Sequence, residues 1–355
     1  MFIVDAHQNI AFNAQQLGRD YPRWAWQLRE SEGEATAPPA MTSLPDNLMA
    51  GIGIVYGSMS VIPESFPQRE SWHTLTYRSD DDANLLARRQ IDYYRRLADE
   101  QDQIRMILTR SDLEAVIASW QDGAPLSRRM QGIVALMEGA QPIREPRQFE
   151  EWMELGVRVV APACQPTRYC AAAGFEGELT PLGYELLDVL SDHGILLDVS
   201  DMSERACQQA IERYSGGIIA SHANPRYFYN SPRGLPDQTI RALAERDGVI
   251  GIMVYNRYLR RDWRHSDPNR RVSLDHWAHA VDYVCQLTGS AAHAGLGSDI
   301  DGGYAYTSFP EELDTSADLW QLGDSLRARG FGADDVEAIL GGNHLRKLKE
   351  ALPDG

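Results

Sequence analysis

Short apolar runs alternate with amphipathic segments along most of the chain. Nearly continuous hydrophobicity over so few residues is typical of parallel strands that are covered on both faces. Nine runs have this character: Phe2–Ala6, Gly51–Tyr56, Ile104–Leu108, Ile133–Met137, Val157–Ala161, Ile195–Val199, Gly217–Ala220, Val249–Val254 and Ala294–Gly297. Between them, Asp82–Leu97 and Pro181–Asp192 are predicted to be helices, and Thr180 is predicted to cap the second. The alternation predicts an α/β fold with a parallel sheet.

The number of predicted strands bears on the architecture. Eight parallel strands close a (β/α)8 barrel, so one of the nine must be an additional or edge strand, and the pattern does not show which. The stretch Gly18–Pro45, rich in Trp, Glu, Ala and Pro, predicts a long loop over one end of the barrel. Because the amino-acid composition does not change in character after this stretch, we expect a single domain over residues 1–355.

Composition narrows the range of partners. The net charge of −17 disfavours nucleic-acid binding, which needs clustered cations. No apolar run is long enough for a membrane span, and the first residues lack the pattern of a signal peptide. The four scattered cysteines, at positions 164, 170, 207 and 285, form no CxxC pair and fit a reducing compartment. We therefore expect a cytoplasmic protein that binds neither nucleic acid nor membrane.

Several apolar runs end on a residue that can bind a metal ion. These residues are His7, Glu138, Asp201, His222 and Asp299. In a (β/α)8 barrel the C-terminal strand ends converge on one mouth, where the active site lies. Two histidines and three carboxylates there could hold one or two divalent cations. Each residue alone also has an ordinary alternative: a histidine can be a hydrogen-bonded core residue, and an aspartate can be a helix N-cap.

Seven segments resemble conserved motifs of the membrane dipeptidase family, which has an amidohydrolase-like barrel. They are Ala135–Gly139, Leu155–Arg158, Leu179–Gly183, Ser221–Asn224, Pro232–Asp237, Gly295–Gly302 and Gly341–Arg346. Ser221–Asn224, for example, is similar to the family's Ser-His-Ser-Asn. Gly341–Arg346 is similar to its Gly-Gly-Asn-Phe-Leu-Arg, with His344 at the phenylalanine position. The resemblance implies a TIM-like (β/α)8 barrel and a metal-dependent hydrolase.

The resemblance also implies a set of metal ligands. The positions that correspond to the family's ligands are His7, Asn9, Glu138, Asp201, His222 and Asp299. Among them, Glu138 matches the bridging glutamate, and Asp299 matches a ligand that also shuttles the proton. Two positions depart from the family: Asn9 replaces an aspartate and Asp201 replaces a histidine. The exchange keeps the number of carboxylates and adds oxygen ligands, which favours Mn²⁺ or Mg²⁺ relative to Zn²⁺. Because the side chain of aspartate is shorter than that of histidine, Asp201 could also fail to reach the ion, and the site would then hold one metal ion or none.

Two further positions would contact the substrate. Arg233 corresponds to the arginine that holds the substrate carboxylate, and Cys164 stands where the family has a histidine that contacts the substrate. A thiol is a poor hydrogen-bond donor, so we expect slow turnover of ordinary dipeptides. The implied substrate is a dipeptide or another small N-acyl amino acid with a free carboxylate, hydrolysed through a metal-activated water, with Glu138 and Asp299 as catalytic residues. The alternative is an impaired relative that binds a small carboxylate ligand without efficient turnover. Both of these functions are compatible with a homodimer.

Overall fold

Eight parallel strands close a barrel in the computed structural model of the protein. The structure describes residues 1–33, 37–67, 69–121, 123–264, 266, 271–304 and 306–354. Every predicted run forms a strand: β1 Ile3–Gln8, β2 Ile52–Ser60, β3 Ile104–Met106, β4 Gln131–Glu138, β5 Val157–Ala161, β6 Leu196–Asp198, β7 Ile218–Ala220, β8 Val249–Ile252 and β9 Ala294–Leu296. Strand β1 pairs with both β2 and β9, and β2 pairs with β4, so the ring closes without β3. The predicted (β/α)8 fold is confirmed.

The ninth strand, β3, lies outside the ring. It pairs with the beginning of β4, from Ile104 opposite Gln131 to Met106 opposite Ile133. Strand β2 pairs along one edge of β4. The other edge is shared by β3, at the beginning of β4, and by β5, from Ala135 onwards. The middle residue of β3, Arg105, is exposed, as suits a strand at the rim. The additional strand that the sequence left unassigned is therefore β3.

Helices surround the barrel and follow most of the strands. Their bounds are α1 Ile10–Leu17, α2 Ala25–Glu32, α3 Leu44–Ala50, α4 Asp80–Glu100, α5 Arg110–Ala118, α6 Phe149–Leu155, α7 Pro181–Asp192, α8 Glu204–Arg213, α9 Asp237–Glu245, α10 Asn256–Leu259, α11 Leu274–Thr288, α12 Leu322–Ala328, α13 Ala333–Glu337 and α14 Asn343–Ala351. Shorter helical turns are Leu126–Arg128, Pro146–Gln148, Ala291–His293, Tyr306–Ser308, Ser316–Gln321 and Ala338–Gly342. Among the residues described, no helix combines the length and the apolar character needed to cross a bilayer.

The two predicted helices are present. Helix α7 has the predicted bounds, and the Thr180 hydroxyl accepts a hydrogen bond from the backbone N–H of Gly183, so Thr180 is the predicted cap. Helix α4 extends a little beyond the predicted Asp82–Leu97. Its N-terminus is a capping box in which Ser79 and Asp82 each bind the other's backbone N–H.

The segment from Gly18 to Pro45 is more ordered than the sequence suggested. Instead of one irregular loop, it contains helix α2 and the first residues of α3; residues 34–36 lie outside the described residues. Only Ala25 and Leu28 of α2 are buried, so the helix has almost no hydrophobic period to reveal it. The Asp301 carboxylate accepts hydrogen bonds from the backbone N–H groups of Met41 and Thr42, which ties the segment to the loop after β9.

Candidate metal centre

The ends of five strands bring ionisable side chains to the same mouth of the barrel. These side chains belong to His7 on β1, Glu138 at the end of β4, Asp201 after β6, His222 after β7 and Asp299 after β9. All five residues are buried. Neither aspartate has the ordinary role left open above: Ser203 caps the helix that follows Asp201, and Asp299 lies in a left-handed turn with φ of 53°. An aspartate tolerates this conformation better than most residues do.

A first group of ligand atoms surrounds His7. Its Nε2 lies 3.5 Å from Glu138 Oε2 and 3.8 Å from Asp299 Oδ1. The His222 ring stacks on the His7 ring with centroids 3.7 Å apart. His7, Glu138 and His222 each offer a ligand atom within 4.8 Å of the other two. The structure thus brings together the four ligand positions at which the sequence resembles the family: His7, Glu138, His222 and Asp299.

A second group of ligand atoms lies on the other side of Glu138. Glu138, Cys164 and Asp201 also offer ligand atoms within 4.8 Å of one another. The Cys164 thiol donates to Glu138 Oε1 at 3.2 Å, while Glu138 Oε2 faces His7 and accepts from the Ser58 hydroxyl at 2.7 Å. The two oxygens of Glu138 therefore point to two different groups, as a bridging carboxylate would require.

The orientation of His222 is fixed by a buried hydrogen-bonded chain. Asp198 accepts from the Ser221 hydroxyl, and that hydroxyl oxygen lies 2.8 Å from His222 Nδ1. Since the Ser221 proton points to the carboxylate, Nδ1–H of the imidazole donates to the Ser221 oxygen. The lone pair of His222 Nε2 is then left facing the mouth. Such a chain behind a metal-binding histidine sets its tautomer and raises its basicity.

Asn9 is part of the site, but its amide is engaged by neighbours. Its Nδ2 donates to Asp299 Oδ1 at 3.1 Å, and its Oδ1 lies 3.0 Å from the Ser58 hydroxyl. An aspartate at this position would place a second carboxylate against Asp299, which needs a cation between them. The asparagine instead donates to the Asp299 carboxylate and offers its carbonyl oxygen to the Ser58 hydroxyl, so both ends of its amide are satisfied without a cation.

Arg233 is bound to Asp201 and to the backbone. Its Nε lies 2.7 Å from Asp201 Oδ1, and its two terminal nitrogens donate to the carbonyl oxygens of Ser200 and His222. The guanidinium therefore holds a carboxylate of the chain itself. The other oxygen, Asp201 Oδ2, lies 3.4 Å from His222 Nε2 and has no hydrogen-bond partner within the described ranges.

The electrostatics of the mouth favour a positive charge. Burial alone would lower the pKa of His7, but the carboxylates of Glu138 and Asp299 outweigh it and raise that pKa to about 9. Burial opposes ionisation of Glu138, yet the imidazoles of His7 and His222 hold the pKa of this carboxyl well below its usual range. Burial raises the pKa of the Asp299 carboxyl. It also raises the pKa of the Cys164 thiol, and Glu138 and Asp201 add to this effect.

The donor set fits a divalent cation. Both ring nitrogens of His7 and one oxygen of Asp201 are buried without a hydrogen-bond partner in the part of the chain that the structure describes. Buried polar atoms are rarely left in this state, and here His7 Nε2 and Asp201 Oδ2 point at other ligand atoms of the two groups. Imidazole nitrogen and carboxylate oxygen are the ligands that Zn²⁺ and Mn²⁺ take in proteins.

Sequence reasoning missed the residues that support these ligands. Ser58 and Ser60 lie at the end of β2, which carries no obvious metal ligand, and Asp198 and Ser221 lie behind His222. For Asp198 there was a signal, because a charged residue interrupts the apolar run Ile195–Val199. For the serines there was none, since a hydroxyl at a strand end is common.

Comparison with known proteins gives the family. The model of the membrane dipeptidase family (peptidase family M19) matches residues 2–352. Among solved structures, the metallopeptidase dipeptidase AC superposes with a TM-score of 0.81 at 19% identity, covering 99% of both chains. A metallopeptidase from Rhodobacter sphaeroides, liganded with a phosphinate mimic of the dipeptide L-Ala-D-Ala, gives 0.81 at 18% identity and the same coverage. At such identities the likeness shows the fold.

Sequence relatives include both bacterial and fungal proteins. An uncharacterized protein of the pqqA 5′ region of Klebsiella pneumoniae is 29% identical over 71% of this chain and 91% of its own length. Dipeptidase aclJ of Aspergillus oryzae is 30% identical over 48% of this chain, and the match spans 39% of that protein. An uncharacterized dipeptidase of Schizosaccharomyces pombe is 26% identical, over 51% of its length. Because the family model spans nearly the whole chain, the protein belongs to the membrane dipeptidase family of metallo-hydrolases, peptidase family M19.

Proposed function

We propose that the protein hydrolyses a dipeptide or another small N-acyl amino acid with a free carboxylate. The observation that carries the proposal is the convergence of His7, Glu138, His222 and Asp299 at the mouth of the barrel. One or two divalent cations, Zn²⁺ or else Mn²⁺ or Mg²⁺, would supply an activated water and would polarise the scissile carbonyl. The relative from Rhodobacter sphaeroides, which carries a phosphinate mimic of a dipeptide, supports this class of substrate.

The residues of the chain have distinct tasks in this proposal. His7 and His222 hold the cation, and Glu138 lies between the two groups of ligand atoms. Asp299 is the proposed proton carrier, because a buried carboxyl close to the reacting atoms can accept and return a proton. The Asn9 amide, which donates to Asp299 Oδ1, keeps that carboxylate oriented.

Arg233 is the proposed contact for the substrate carboxylate. A guanidinium has five N–H donors, and the three nitrogens of Arg233 each contact Asp201 or a backbone oxygen. The N–H groups that these contacts leave over would bind the substrate. Binding in this form is weaker than at a guanidinium that is free of any carboxylate, because Asp201 offsets its charge.

The test is turnover of a panel of dipeptides and N-acyl amino acids by protein loaded with Zn²⁺, Mn²⁺ or Mg²⁺. We expect turnover of at least one substrate, and loss of turnover in Glu138→Gln under the same loading. Glu154→Gln, on the exposed side of α6, is the matched control and should be as active as the wild type. Absence of turnover with every cation, in a protein that binds the cations, would contradict the proposal.

A second candidate function is supported by three particular residues. The Arg233 guanidinium is occupied by Asp201, Asn9 replaces a carboxylate, and Cys164 is a weak donor where the family has a histidine. These features fit a protein that binds a small carboxylate ligand without efficient turnover. Calorimetric titration with a dipeptide and with its product amino acids, together with an assay for released amino acids, separates the two functions. The second candidate requires that the ligand binds and that no product is formed.

A further inference from the structure

Cys164 faces the second group of ligand atoms, and the roles considered so far leave its sulfur unused. It is the one half-buried cysteine, whereas Cys170, Cys207 and Cys285 are buried, and all four thiols are free. Its sulfur lies 3.2 Å from Glu138 Oε1 and within 4.8 Å of a carboxylate oxygen of Asp201. Cysteine thiolate is a ligand that selects Zn²⁺ over hard cations such as Mg²⁺.

We propose that Cys164, Glu138 and Asp201 form a thiolate-containing site for a thiophilic divalent cation, with Zn²⁺ as the physiological class. The proposal builds on the proposed function only in assuming that the mouth of the barrel takes a divalent cation. It gives Cys164 a role as a metal ligand, where the family resemblance gave it only a place near the substrate.

The distances suit a shared cation. Ligand atoms of a tetrahedral zinc ion, with bonds of about 2.0–2.3 Å, lie roughly 3.3–3.8 Å from one another. The separation of 3.2 Å between Cys164 Sγ and Glu138 Oε1 is close to that range. The separations from these two atoms to the Asp201 oxygen are at most 4.8 Å.

Asp201 provides the second line of support. Its Oδ1 is held by Arg233 at 2.7 Å, so the carboxylate cannot rotate freely. Its Oδ2 is buried and lacks a hydrogen-bond partner among the residues that are described. A carboxylate oxygen of Asp201 lies within 4.8 Å of the Cys164 sulfur and of a Glu138 oxygen, so this fixed carboxylate has an unused ligand atom at the mouth.

Two polar side chains lie close to the sulfur. The Ser60 hydroxyl lies 3.8 Å from Cys164 Sγ, and the Gln165 amide donates to the same sulfur at 3.6 Å. Hydrogen bonds to a ligating sulfur are a common outer shell of metal sites. When the cation binds, the thiol proton that now points to Glu138 Oε1 leaves to solvent, and the sulfur and the freed carboxylate oxygen both turn to the ion.

The decisive experiment is a titration of the metal-free full chain with Co²⁺, followed by absorption spectroscopy. Visible ligand-field bands report that cobalt is bound, and a near-ultraviolet sulfur-to-cobalt charge-transfer band reports a thiolate ligand. We expect both signals in the wild type, and loss of the charge-transfer band alone in Cys164→Ser. Cys285→Ser, in α11 away from the mouth, is the matched control and should keep both.

The outcomes of the titration separate this proposal from the proposed function. Visible bands without a charge-transfer band in the wild type would overturn the thiolate site and leave a metal-dependent hydrolase in place. A charge-transfer band that persists in Cys164→Ser would assign the ligand to another cysteine and also overturn it. No bands at all would remove both proposals, because neither survives without a bound cation.

A second measurement on the wild type covers the case in which Cys164→Ser does not fold. Alkylation of the native, metal-free protein, read out by peptide mapping, should modify Cys164 first because the other thiols are buried. We expect stoichiometric Zn²⁺ to protect Cys164 and Mg²⁺ to leave it reactive. Equal alkylation with and without Zn²⁺, in protein shown by metal analysis to contain zinc, would refute the thiolate ligand.

Discussion

At the scale of single residues, the carboxylate of Asp201 has different surroundings on its two oxygens. Arg233 pairs with Oδ1, while Oδ2 lies beside His222 Nε2 at 3.4 Å. The guanidinium offsets much of the charge that Asp201 brings, so a count of carboxylates overstates the negative charge at the mouth. The resemblance implied an exchange of charge between positions 9 and 201. In the structure, Asn9 is held by hydrogen bonds and the charge of Asp201 is offset by Arg233.

Ser221 allows a test of how His222 is prepared for a cation. The change Ser221→Ala removes the acceptor for Nδ1–H, so the ring loses its fixed tautomer and orientation. We expect the affinity for the cation to fall by about 10–100-fold, the usual effect of losing such a partner. Competition with a metal-chelating dye measures this affinity. Ser325→Ala, whose hydroxyl bonds only within its own helical region, should leave it unchanged.

His344 predicts a pH dependence of stability. It is fully buried, and neither ring nitrogen has a hydrogen-bond partner among the described residues. Burial lowers the pKa of His344 to about 3. The unfolded chain binds a proton here below about pH 6.5, whereas the folded chain does not until near pH 3. Stability linked to this group is therefore present above pH 6.5 and is lost as the pH falls, by up to about 1.4 kcal/mol per pH unit.

The variant His344→Phe isolates this contribution, because phenylalanine keeps a planar aromatic ring and has no ionisable group. We expect the difference in unfolding free energy between the variant and the wild type to grow in favour of the variant as the pH is lowered from 7 to 5. Urea denaturation at several pH values gives this difference. Two parallel pH profiles would contradict the buried neutral histidine, whatever the offset between them.

At the scale of elements, the loop after β9 positions Asp299 through close packing. A Cβ added to Gly302 would lie 2.2 Å from Asp299 Oδ1, so the carboxylate occupies the space that any side chain at 302 would need. Asp299 is also held in a left-handed backbone conformation with φ of 53°. The glycine and the strained aspartate together fix where the carboxylate lies.

The substitution Gly302→Ala tests this arrangement without touching a proposed ligand. The new methyl group forces the Asp299 side chain to rotate away, so we expect loss of catalytic turnover and weaker cation binding in a protein that still folds. Metal analysis, turnover and circular dichroism are the measurements. Gly342→Ala is the control, because a Cβ there meets its nearest atom at an ordinary 3.5 Å. Wild-type turnover in Gly302→Ala would show that the loop is not constrained.

Much of the element order could be predicted, and the reasons are physical. Buried parallel strands require continuous apolar runs, and all nine such runs form strands. The exclusion of β3 from the ring could not be predicted. It depends on which edge of β4 is unpaired before Ala135, and the order of apolar residues does not determine how neighbouring strands are paired. Helix α2 was missed because a helix with two buried residues has no amphipathic signal.

The ligand positions could be proposed because each lies at the end of an apolar run, and strand ends meet at one mouth. Their partners could not. Asp201 and Arg233 lie in the loops after two different strands, and Cys164, in the loop after β5, contacts Glu138 at the end of β4. Such contacts follow from the closure of the barrel, and a linear pattern holds no information about them. The proposed role of Arg233 toward the substrate accordingly stays a prediction.

At the scale of the whole molecule, the charge at the mouth links cation binding to stability. The chain carries a net charge of −17, and the buried carboxylates of Glu138, Asp201 and Asp299 converge in one place. Their mutual repulsion is relieved in part by His7 and Arg233. A divalent cation would relieve it further, and a ligand that binds only the folded state stabilises that state.

We therefore predict that removal of divalent cations lowers the Tm of the whole protein and that their return restores it. When the free cation is at about 100 times its Kd, the free energy of unfolding rises by about 2.7 kcal/mol, which corresponds to a rise in Tm of several degrees.

The order in which the cations act tests the ligands. If Cys164 is a ligand, Zn²⁺ should raise the Tm at lower concentration than Mn²⁺ does, and Mg²⁺ should be weakest. Ligation by oxygen and imidazole alone would reduce the advantage of Zn²⁺. Differential scanning fluorimetry of the chelator-treated chain gives the order directly. Glu138→Gln removes the carboxylate shared by both groups of ligand atoms, so its Tm should barely respond to any of the three cations. A wild-type Tm that is indifferent to all of them would mean that the converging carboxylates and imidazoles do not form a cation site.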